Sequence, residues 1–187
     1  GRTMIGALGG RRGEAPRSAP AGSISMSTAA RGGALEGMYT STGRLDIEKA
    51  YPEGLDNIHS LWPRMAALCG DLPAFEDPAN GVTMTYKEAN GGMEALAGQL
   101  QSLGVKKGDK LSVFSENSHR WLLLDGATLM CGACNVVRGV SAPIEELRYI
   151  YEDSGSSICV VQTLALLQQL SPHLAALPSP PRFVIVM

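Results

Sequence analysis

The segment KLSVFSENSHRWLLLDGATLMCGACNVV, residues 110–137, contains two apolar runs separated by a stretch of helical length. KLSVF at 110–114 and ACNVV at 133–137 predict strands, and Ser118 is placed to cap a helix running through WLLLDGATLM. A strand, a helix of ten or more residues and another strand form a β-α-β crossover with parallel strands. The segment therefore predicts a parallel sheet that is covered by helices.

The same alternation continues to the end of the sequence. The elements predicted there are a helix opened by Ser141, Pro143 and Glu145 and running through Tyr151, a strand at 157–161, a helical stretch interrupted at Pro172, and a strand at 183–187. Continuously apolar strands between helices are typical of sheets covered on both faces, so the predicted fold class is α/β, with a mostly parallel sheet and flanking helices. Because the last apolar strand would need a further helix to cover it, we expect a chain truncated at its C-terminus and prone to association.

Upstream of this region the pattern predicts a hairpin between two helices. The predicted elements are a helix from Ile58 to Leu68 that ends near Gly70 and is kinked or restarted at Pro63, two short strands, PAFED and VTMT, around the turn DPANG (77–81), and a helix over 86–103. Thr85 and Glu88 are spaced as a capping box at the start of the second helix. Leu96, Leu100 and Leu103 share one stripe of it, and Gly104 can supply the left-handed residue that ends it.

Length, composition and charge limit the class of protein. A chain of 187 residues with 44% hydrophobic content is long enough for one domain with a core. Its net charge of −2, with both signs dispersed, provides no basic face for nucleic acid. The apolar run at 121–124 ends at Asp125, far short of the ~20 residues that span a bilayer. The sequence therefore predicts neither a nucleic-acid partner nor a transmembrane segment, and it leaves peripheral membrane contact open.

The N-terminal residues differ in composition from the rest of the chain. Residues 1–33 are rich in Arg, Ser, Ala and Gly, and Glu14 is their only acidic residue. This composition is typical of an organellar transit peptide and predicts disorder; a low-complexity tail without a targeting role is the alternative. In residues 34–54 the apolar positions recur with no sustained helix or strand period, which predicts a linker. Since the chain begins with Gly1, we expect its true start upstream or at an internal Met.

Cys131 and Cys134 form a C-x-x-C pair, which can have a redox, a metal-binding or a packing role. A redox pair is expected at the start of a helix, where the dipole lowers a thiol pKa, whereas this pair falls at a predicted helix end and in a strand. A zinc site needs a second close pair, but Cys69 and Cys159 stand alone. Buried packing is therefore predicted for both thiols, with redox or metal roles as the alternatives.

Other candidate motifs favour structural roles. GVKKGDK at 104–110 has glycines too closely spaced for a phosphate-binding loop, and its Asp109 would repel phosphate. Ser118 beside His119 lacks a G-x-S-x-G elbow and is better explained as a helix cap. The other two histidines, His59 and His173, have no partner at ligand spacing. Arg138 is predicted to pair with Glu145 or Glu146.

Several short motifs follow one another between Ile58 and Met187: Gly70-Asp71 before PAF, MTYKEAN (84–90), LGVKKGD (103–109), ENSHRW (116–121), GACNVVRG (132–139), EEL (145–147) and DS (153–154). Taken in this order, they resemble the N-terminal part of the AMP-forming acyl-activating enzymes, also called adenylate-forming ligases. NVVRG, in place of the more usual V-P stretch, is similar to the plastid long-chain acyl-acyl carrier protein synthetases. CGAC occupies the G-A-x-x-V stretch that enters a core strand in that family, which again favours packing.

The resemblance implies a chemistry for the full-length family. Its members use ATP, with Mg²⁺ on the phosphates, to convert a carboxylic acid into an acyl-adenylate, and a thiol of coenzyme A or of acyl carrier protein then displaces AMP. That chemistry needs a Ser/Thr/Gly-rich loop followed by Pro-Lys, a group for the ribose and a mobile Lys, and no stretch of this sequence matches them. No catalytic, cofactor-binding or metal residue is therefore assigned, and no cofactor is expected to bind this chain alone.

The sequence thus predicts a fragment of an acid–thiol ligase for long-chain fatty acids, inactive alone. Its expected organisation is a disordered, transit-peptide-like segment at 1–33, a linker at 34–54, and the N-terminal part of an AMP-dependent synthetase/ligase domain at 55–187. The resemblance and the N-terminal composition imply a plastid location, with the cytoplasm as the alternative. Two other functions stay open: a free-standing α/β interaction or regulatory module derived from such a ligase, and a redox protein acting through its C-x-x-C pair.

Overall fold

A computed structural model describes residues 37–38, 41–42, 46–52, 54 and 57–187. The predicted disordered segment 1–33 lies outside these residues. The elements in chain order are α1 (Ile47–Ala50), a 3₁₀ turn (Ile58–Ser60), α2 (Leu61–Cys69), β1 (Pro73–Asp77), β2 (Val82–Thr85), α3 (Tyr86–Ser102), β3 (Lys110–Phe114), α4 (His119–Met130), β4 (Cys134–Arg138), α5 (Ile144–Ser154), β5 (Ile158–Val161), α6 (Leu164–Ala175) and β6 (Val184–Val186).

The main sheet has four parallel strands in the order β4-β3-β5-β6. Side chains alternate between its two faces, as the strand period of two requires. Leu111 and Val113 of β3 join the core cluster that contains residues of α3 and α4, while Phe114 joins the cluster that contains residues of α5 and α6. Both faces are therefore covered by helices, which confirms the predicted α/β fold class and its parallel sheet.

Helices α3 and α4 pack closely on one face of this sheet. Met93 of α3 is fully buried, and a Cβ added at Gly126 of α4 would collide with its side chain. The glycine thus leaves the space that the methionine fills. The capping box of α3 is confirmed, since the Thr85 Oγ1 accepts from the Glu88 backbone N at 3.2 Å and a Glu88 carboxylate oxygen accepts from the Thr85 backbone N at 2.9 Å. This reciprocal pair satisfies two of the orphan donors at the helix start.

The predicted ends of three helices need adjustment. Helix α3 ends at Ser102, so Leu103 follows the helix and is 56% exposed instead of lying in the buried stripe. Pro172 lies inside α6 and does not interrupt it. Because proline has no N–H, the carbonyl of Gln168 lacks its helical hydrogen bond, but both residues are on the exposed side of the helix, where water can replace that bond. Helix α5 continues to Ser154, where Gly155 ends it with φ +65°.

Two predictions about the ends of α2 and α3 are confirmed. Helix α2 is followed by Gly70 as its C-cap, and Pro63 lies in its first turn, where a missing N–H breaks no helical hydrogen bond. Gly104, after α3, has φ +86°.

Part of the predicted linker 34–54 contacts the domain. Ala50 is fully buried and Tyr51 is 8% exposed, and the Arg64 Nε of α2 donates to the Ala50 carbonyl at 2.8 Å. The described residues of this stretch therefore include a short helix attached to α2.

Candidate functional site

A cleft of about 450 Å³ lies at the carboxyl edge of the parallel sheet. Its walls come from the residues that follow β5 and β6, the first residues of α4 and the turn between β1 and β2. The lining residues are Asn80, Ser118, His119, Arg120, Gln162, Thr163, Leu164, Val186 and Met187. Ligands of open α/β sheets bind beyond the carboxyl ends of the strands, so this cleft is the candidate functional site.

Capping residues position the cleft-facing starts of two helices. The Ser118 Oγ accepts from the Trp121 backbone N at 3.2 Å, and the Thr163 Oγ1 accepts from the Leu166 backbone N at 3.2 Å. Each strand therefore leads through a short loop into a capped helix, and the loop is held at the sheet edge. The first of these caps is the role predicted for Ser118.

Side-chain and backbone hydrogen bonds tie the loops of this edge together. The Glu116 backbone N donates to the Gln162 Oε1 at 2.8 Å, and the Glu116 Oε1 accepts from the Val140 backbone N at 3.0 Å. The Ser115 backbone N donates to the Arg138 carbonyl at 3.1 Å. Loops after three neighbouring strands are thus linked through Glu116, which stiffens one side of the cleft.

Asp77, at the end of β1, binds the start of α4. Its Oδ2 accepts from the His119 backbone N at 3.0 Å and lies 2.9 Å from the His119 Nδ1. The side chains of Asp77 and His119 are only 10% and 15% exposed. Hydrogen bonds from the His119 side chain, its backbone N–H and the Asn80 side chain hold the pKa of Asp77 well below its usual range. This pair could not be predicted from the sequence, since 42 residues separate its members and no local pattern links them.

The C-x-x-C pair is divided between two environments. Cys131 is the C-cap of α4, it is 7% exposed, and burial raises the pKa of its thiol. Cys134 is exposed at the start of β4, so the prediction that both thiols are buried is wrong for this residue. The reason is that β4 forms an edge of the sheet. Both thiols are free, and neither lies at the start of a helix, where a redox cysteine would be activated.

Two charged residues outside the cleft have structural partners. The Asp109 carboxylate accepts from the Lys106 backbone N at 3.1 Å and binds the Arg182 Nη2 at 2.6 Å. This confirms that GVKKGDK forms a turn between α3 and β3. The Arg138 Nε donates to the Glu146 Oε1 at 2.7 Å, which confirms the predicted ion pair.

Two histidines for which the sequence predicted no ligand role lie away from the cleft lining. The His173 Nδ1 lies 3.1 Å from the Glu145 Oε1 on the surface, and His59 belongs to the 3₁₀ turn before α2.

The cleft combines polar and apolar groups but does not fit a magnesium–nucleotide complex. Its side chains include Arg120, His119 and neutral hydroxyl and amide groups but no Asp or Glu, whereas Mg²⁺ is usually held by one or two carboxylates besides the phosphates. Among the residues that the structure describes, no group of three or more His, Cys, Asp or Glu side chains is placed to hold a metal ion. The cleft residues of this chain thus place polar and apolar groups side by side, which suits an amphipathic ligand.

The sequence profile of the AMP-binding enzyme family matches residues 62–186, which include α3, all four strands of the main sheet and every cleft-lining residue except Met187. The chain therefore belongs to the AMP-binding enzymes, the family of AMP-forming acyl-activating ligases.

Curated relatives include long-chain fatty acid ligases from plants and bacteria. The chloroplastic long-chain-fatty-acid–acyl-carrier-protein ligase AEE15 of Arabidopsis thaliana is 33% identical over 132 residues, 70% of this chain and 18% of the relative. The long-chain-fatty-acid–CoA ligase FadD13 of Mycobacterium tuberculosis is 28% identical over 106 residues, 57% of this chain and 21% of the relative. The matched part of the chain thus spans about a fifth of these relatives.

A further relative differs in length from these ligases. The uncharacterized protein Rv1549 of Mycobacterium tuberculosis is 26% identical over 99 residues, which cover 53% of this chain and 57% of that protein. It is therefore a chain of similar length to this one.

Solved structures with a similar fold include an N-terminal domain and a synthetase with names from the same family. The N-terminal domain of FACL13 from Mycobacterium tuberculosis aligns with a TM-score of 0.64 and 26% identity, over 71% of this chain and 34% of that domain. A fatty acyl CoA synthetase from the same organism aligns with a TM-score of 0.63 and 25% identity, over 76% of this chain and 27% of that structure. The chain therefore corresponds to about a third of a known N-terminal domain.

No helix in the described part of the chain is long and apolar enough to cross a membrane.

Proposed function

We propose that this chain supplies the first α/β unit of an acid–thiol ligase that activates long-chain fatty acids with ATP and forms a thioester with CoA or acyl carrier protein. The observation that carries this proposal is the family match over residues 62–186, which covers the folded sheet and all but one of the cleft-lining residues. The names of the plant and mycobacterial relatives support the long-chain fatty acid as substrate. ATP and Mg²⁺ would act in the whole ligase.

In this proposal the chain alone is a scaffold. Its sheet edge is held by main-chain and capping bonds, and its cleft supplies one wall of a larger site. The sequence has no Ser/Thr/Gly-rich loop followed by Pro-Lys, so phosphate binding would depend on residues that this sequence does not contain. Residues 55–187 would form the ligase part, and residues 34–54 would lead into it.

A segment exchange tests the ligase proposal. Residues 58–187 replace the aligned segment of the Arabidopsis relative, and palmitate-dependent pyrophosphate release and acyl carrier protein acylation are measured. The exchanged enzyme should fold and retain both activities, whereas the 187-residue chain alone should show no heat with ATP, magnesium and palmitate in calorimetry. A folded but inactive exchanged enzyme contradicts the proposal, and so does ATP binding by the isolated chain as a monomer.

We further propose that residues 1–33 direct the protein to plastids. Their Arg- and Ser-rich composition and the two chloroplastic relatives support this location, while the bacterial relatives leave a cytoplasmic location as the alternative. The full chain fused at its C-terminus to a fluorescent protein should enter plastids, and its mature form should begin between about residue 25 and residue 55. A matched fusion that lacks residues 1–33 should stay in the cytosol; equal import of both fusions contradicts the proposal.

A free-standing interaction or regulatory module is the second candidate function. The mycobacterial relative of similar length supports it. Under this function the 187-residue chain is a stable monomer, and the exchanged ligase loses its activity although it folds. The segment exchange and an elution volume therefore separate the two candidates.

A further inference from the structure

The β1–β2 hairpin is separate from the main sheet. Its strands pair only with each other in the described structure, in antiparallel register with a shift between Pro73 and Phe75. A two-stranded hairpin alone is at best marginally stable in water. Its position on the domain therefore depends on its contacts with α3 and α4, which include hydrogen bonds at both of its ends.

The base of the hairpin is fixed by backbone bonds at the start of α3. The Tyr86 backbone N donates to the Leu72 carbonyl at 3.1 Å, and the Lys87 backbone N donates to the Gly70 carbonyl at 3.0 Å. Thr85, the last residue of β2, is also the N-cap of α3. The entry to the hairpin after α2 and its exit at Thr85 are thus both bound to the start of α3, which can serve as a pivot.

The other end of the hairpin is attached to α4 through one carboxylate. The Asp77 Oδ2 accepts from the His119 backbone N at 3.0 Å and lies 2.9 Å from the His119 Nδ1. The same carboxylate holds the turn, because Oδ2 accepts from the Asn80 Nδ2 at 2.8 Å and Oδ1 from the Asn80 backbone N at 3.2 Å. A carboxylate at a helix N-terminus is further stabilised by the helix dipole.

These bonds hold two of the residues that line the cleft. Asn80 and His119 both line it, and both are bound to Asp77, which comes from the hairpin. We propose that the β1–β2 hairpin is a hinged lid on this cleft, which pivots at the start of α3 and is latched closed by the contact of Asp77 with His119. Release of the latch moves Asn80 away from the cleft and opens that wall. The proposal rests on contacts within this chain and is independent of the ligase proposal.

Hydrogen exchange of the full chain tests the latch. Asp77→Asn keeps an oxygen for the Asn80 backbone N–H but replaces the other carboxylate oxygen with an amide that cannot accept from His119. Backbone amides of residues 74–85 should then exchange about tenfold faster or more, because a charge-assisted latch no longer holds the closed state. Amides of β3 and β5 should exchange at the wild-type rate. Glu76→Gln, which removes an exposed carboxylate from the same strand, is the matched control and should change neither region.

Modification of histidine by diethyl pyrocarbonate tests whether the lid covers the cleft. His119 should react faster in the Asp77→Asn variant than in the wild type and in Glu76→Gln, while His173, which lies beside Glu145 of α5, acts as an internal reference. If Asp77→Asn does not fold, His119→Gln is used. It retains the backbone bond, and it should accelerate hairpin exchange by a smaller factor. Unchanged hairpin exchange overturns the proposal, as does an equal acceleration in β3 and β5, which would mean that Asp77 stabilises the whole fold.

Discussion

Strands β4 and β5 lie on either side of β3 and are both parallel to it, yet their environments differ. All four residues of β5 are fully buried. In β4, Cys134 and Arg138 are exposed and Val137 is 46% exposed. Two strands with similar apolar sequences thus make unequal contributions to the core.

The difference follows from the order of the strands. Strand β5 lies between β3 and β6 and is covered by helices on both faces, whereas β4 is an edge of the described sheet. Apolar strand composition therefore indicates a parallel sheet, but burial of each strand depends on its neighbours.

The largest expected effect is a difference in stability loss between two valine substitutions, one in each of these strands. Val160→Ala in β5 should lower the free energy of unfolding by about 2 kcal/mol, because it removes fully buried methyl groups and leaves a cavity. Val137→Ala in β4 is the matched control and should cost less than about 0.5 kcal/mol. Urea unfolding of both variants measures the difference, and equal losses would show that β4 is as well covered as β5.

A second prediction compares the thiols of the two strands at alkaline pH. Burial raises the pKa of Cys159 to about 12, from an ordinary value of 9.0. The folded state then holds the Cys159 proton more tightly than the unfolded state does. The contribution of the protonated thiol to the free energy of unfolding is therefore complete below pH 9 and is lost as the pH rises from about 9 towards 12. The wild type should lose about 1 kcal/mol more than Cys159→Ala between about pH 8 and pH 10.

The control for the alkaline prediction is Cys134→Ala, which removes the exposed thiol of β4. Its unfolding free energy should follow the wild-type pH dependence. Burial also raises the pKa of Tyr151 to about 12. The unfolding free energy of all three proteins should therefore still decline somewhat at alkaline pH. Parallel curves for Cys159→Ala and the wild type would refute the assignment to Cys159.

The smallest expected effect concerns the ion pair at the end of β4. Arg138 and Glu146 are 44% and 40% exposed, and the hydrogen bond to Glu146 raises the pKa of Arg138. An exposed pair is screened by salt and loses side-chain entropy, so Arg138→Gln should shift the melting temperature little. Melting curves at low and at high salt test this: any shift should vanish at high salt, and a shift that persists would mean that Arg138 stabilises the edge through packing.

Local sequence patterns predicted most of the fold. The β-α-β segment at 110–137, the capping box at Thr85 and the cap at Ser118 were all located correctly, because each depends on residues within a few positions of one another. The burial of Cys134 was predicted wrongly because the strand order, which no local pattern reveals, puts it at an edge.

The candidate site was less predictable from the sequence than the fold was. Ser118 was correctly identified as a cap, but the bond between Asp77 and His119 joins a hairpin to a helix 42 residues away. No periodicity or turn signal connects such positions. The cleft itself forms from loops after several strands, so it exists only once the strands are ordered in the sheet.

The amino-acid sequence by itself determined the α/β class, the parallel sense of the strands and the resemblance to the acyl-activating ligases, since hydrophobic period, caps and motif order are properties of neighbouring residues. Only the tertiary structure decided which strand is buried, which cysteine is exposed and which carboxylate holds the hairpin against the cleft. The physical reason is that burial and long-range hydrogen bonds depend on distances between residues that are far apart in the chain.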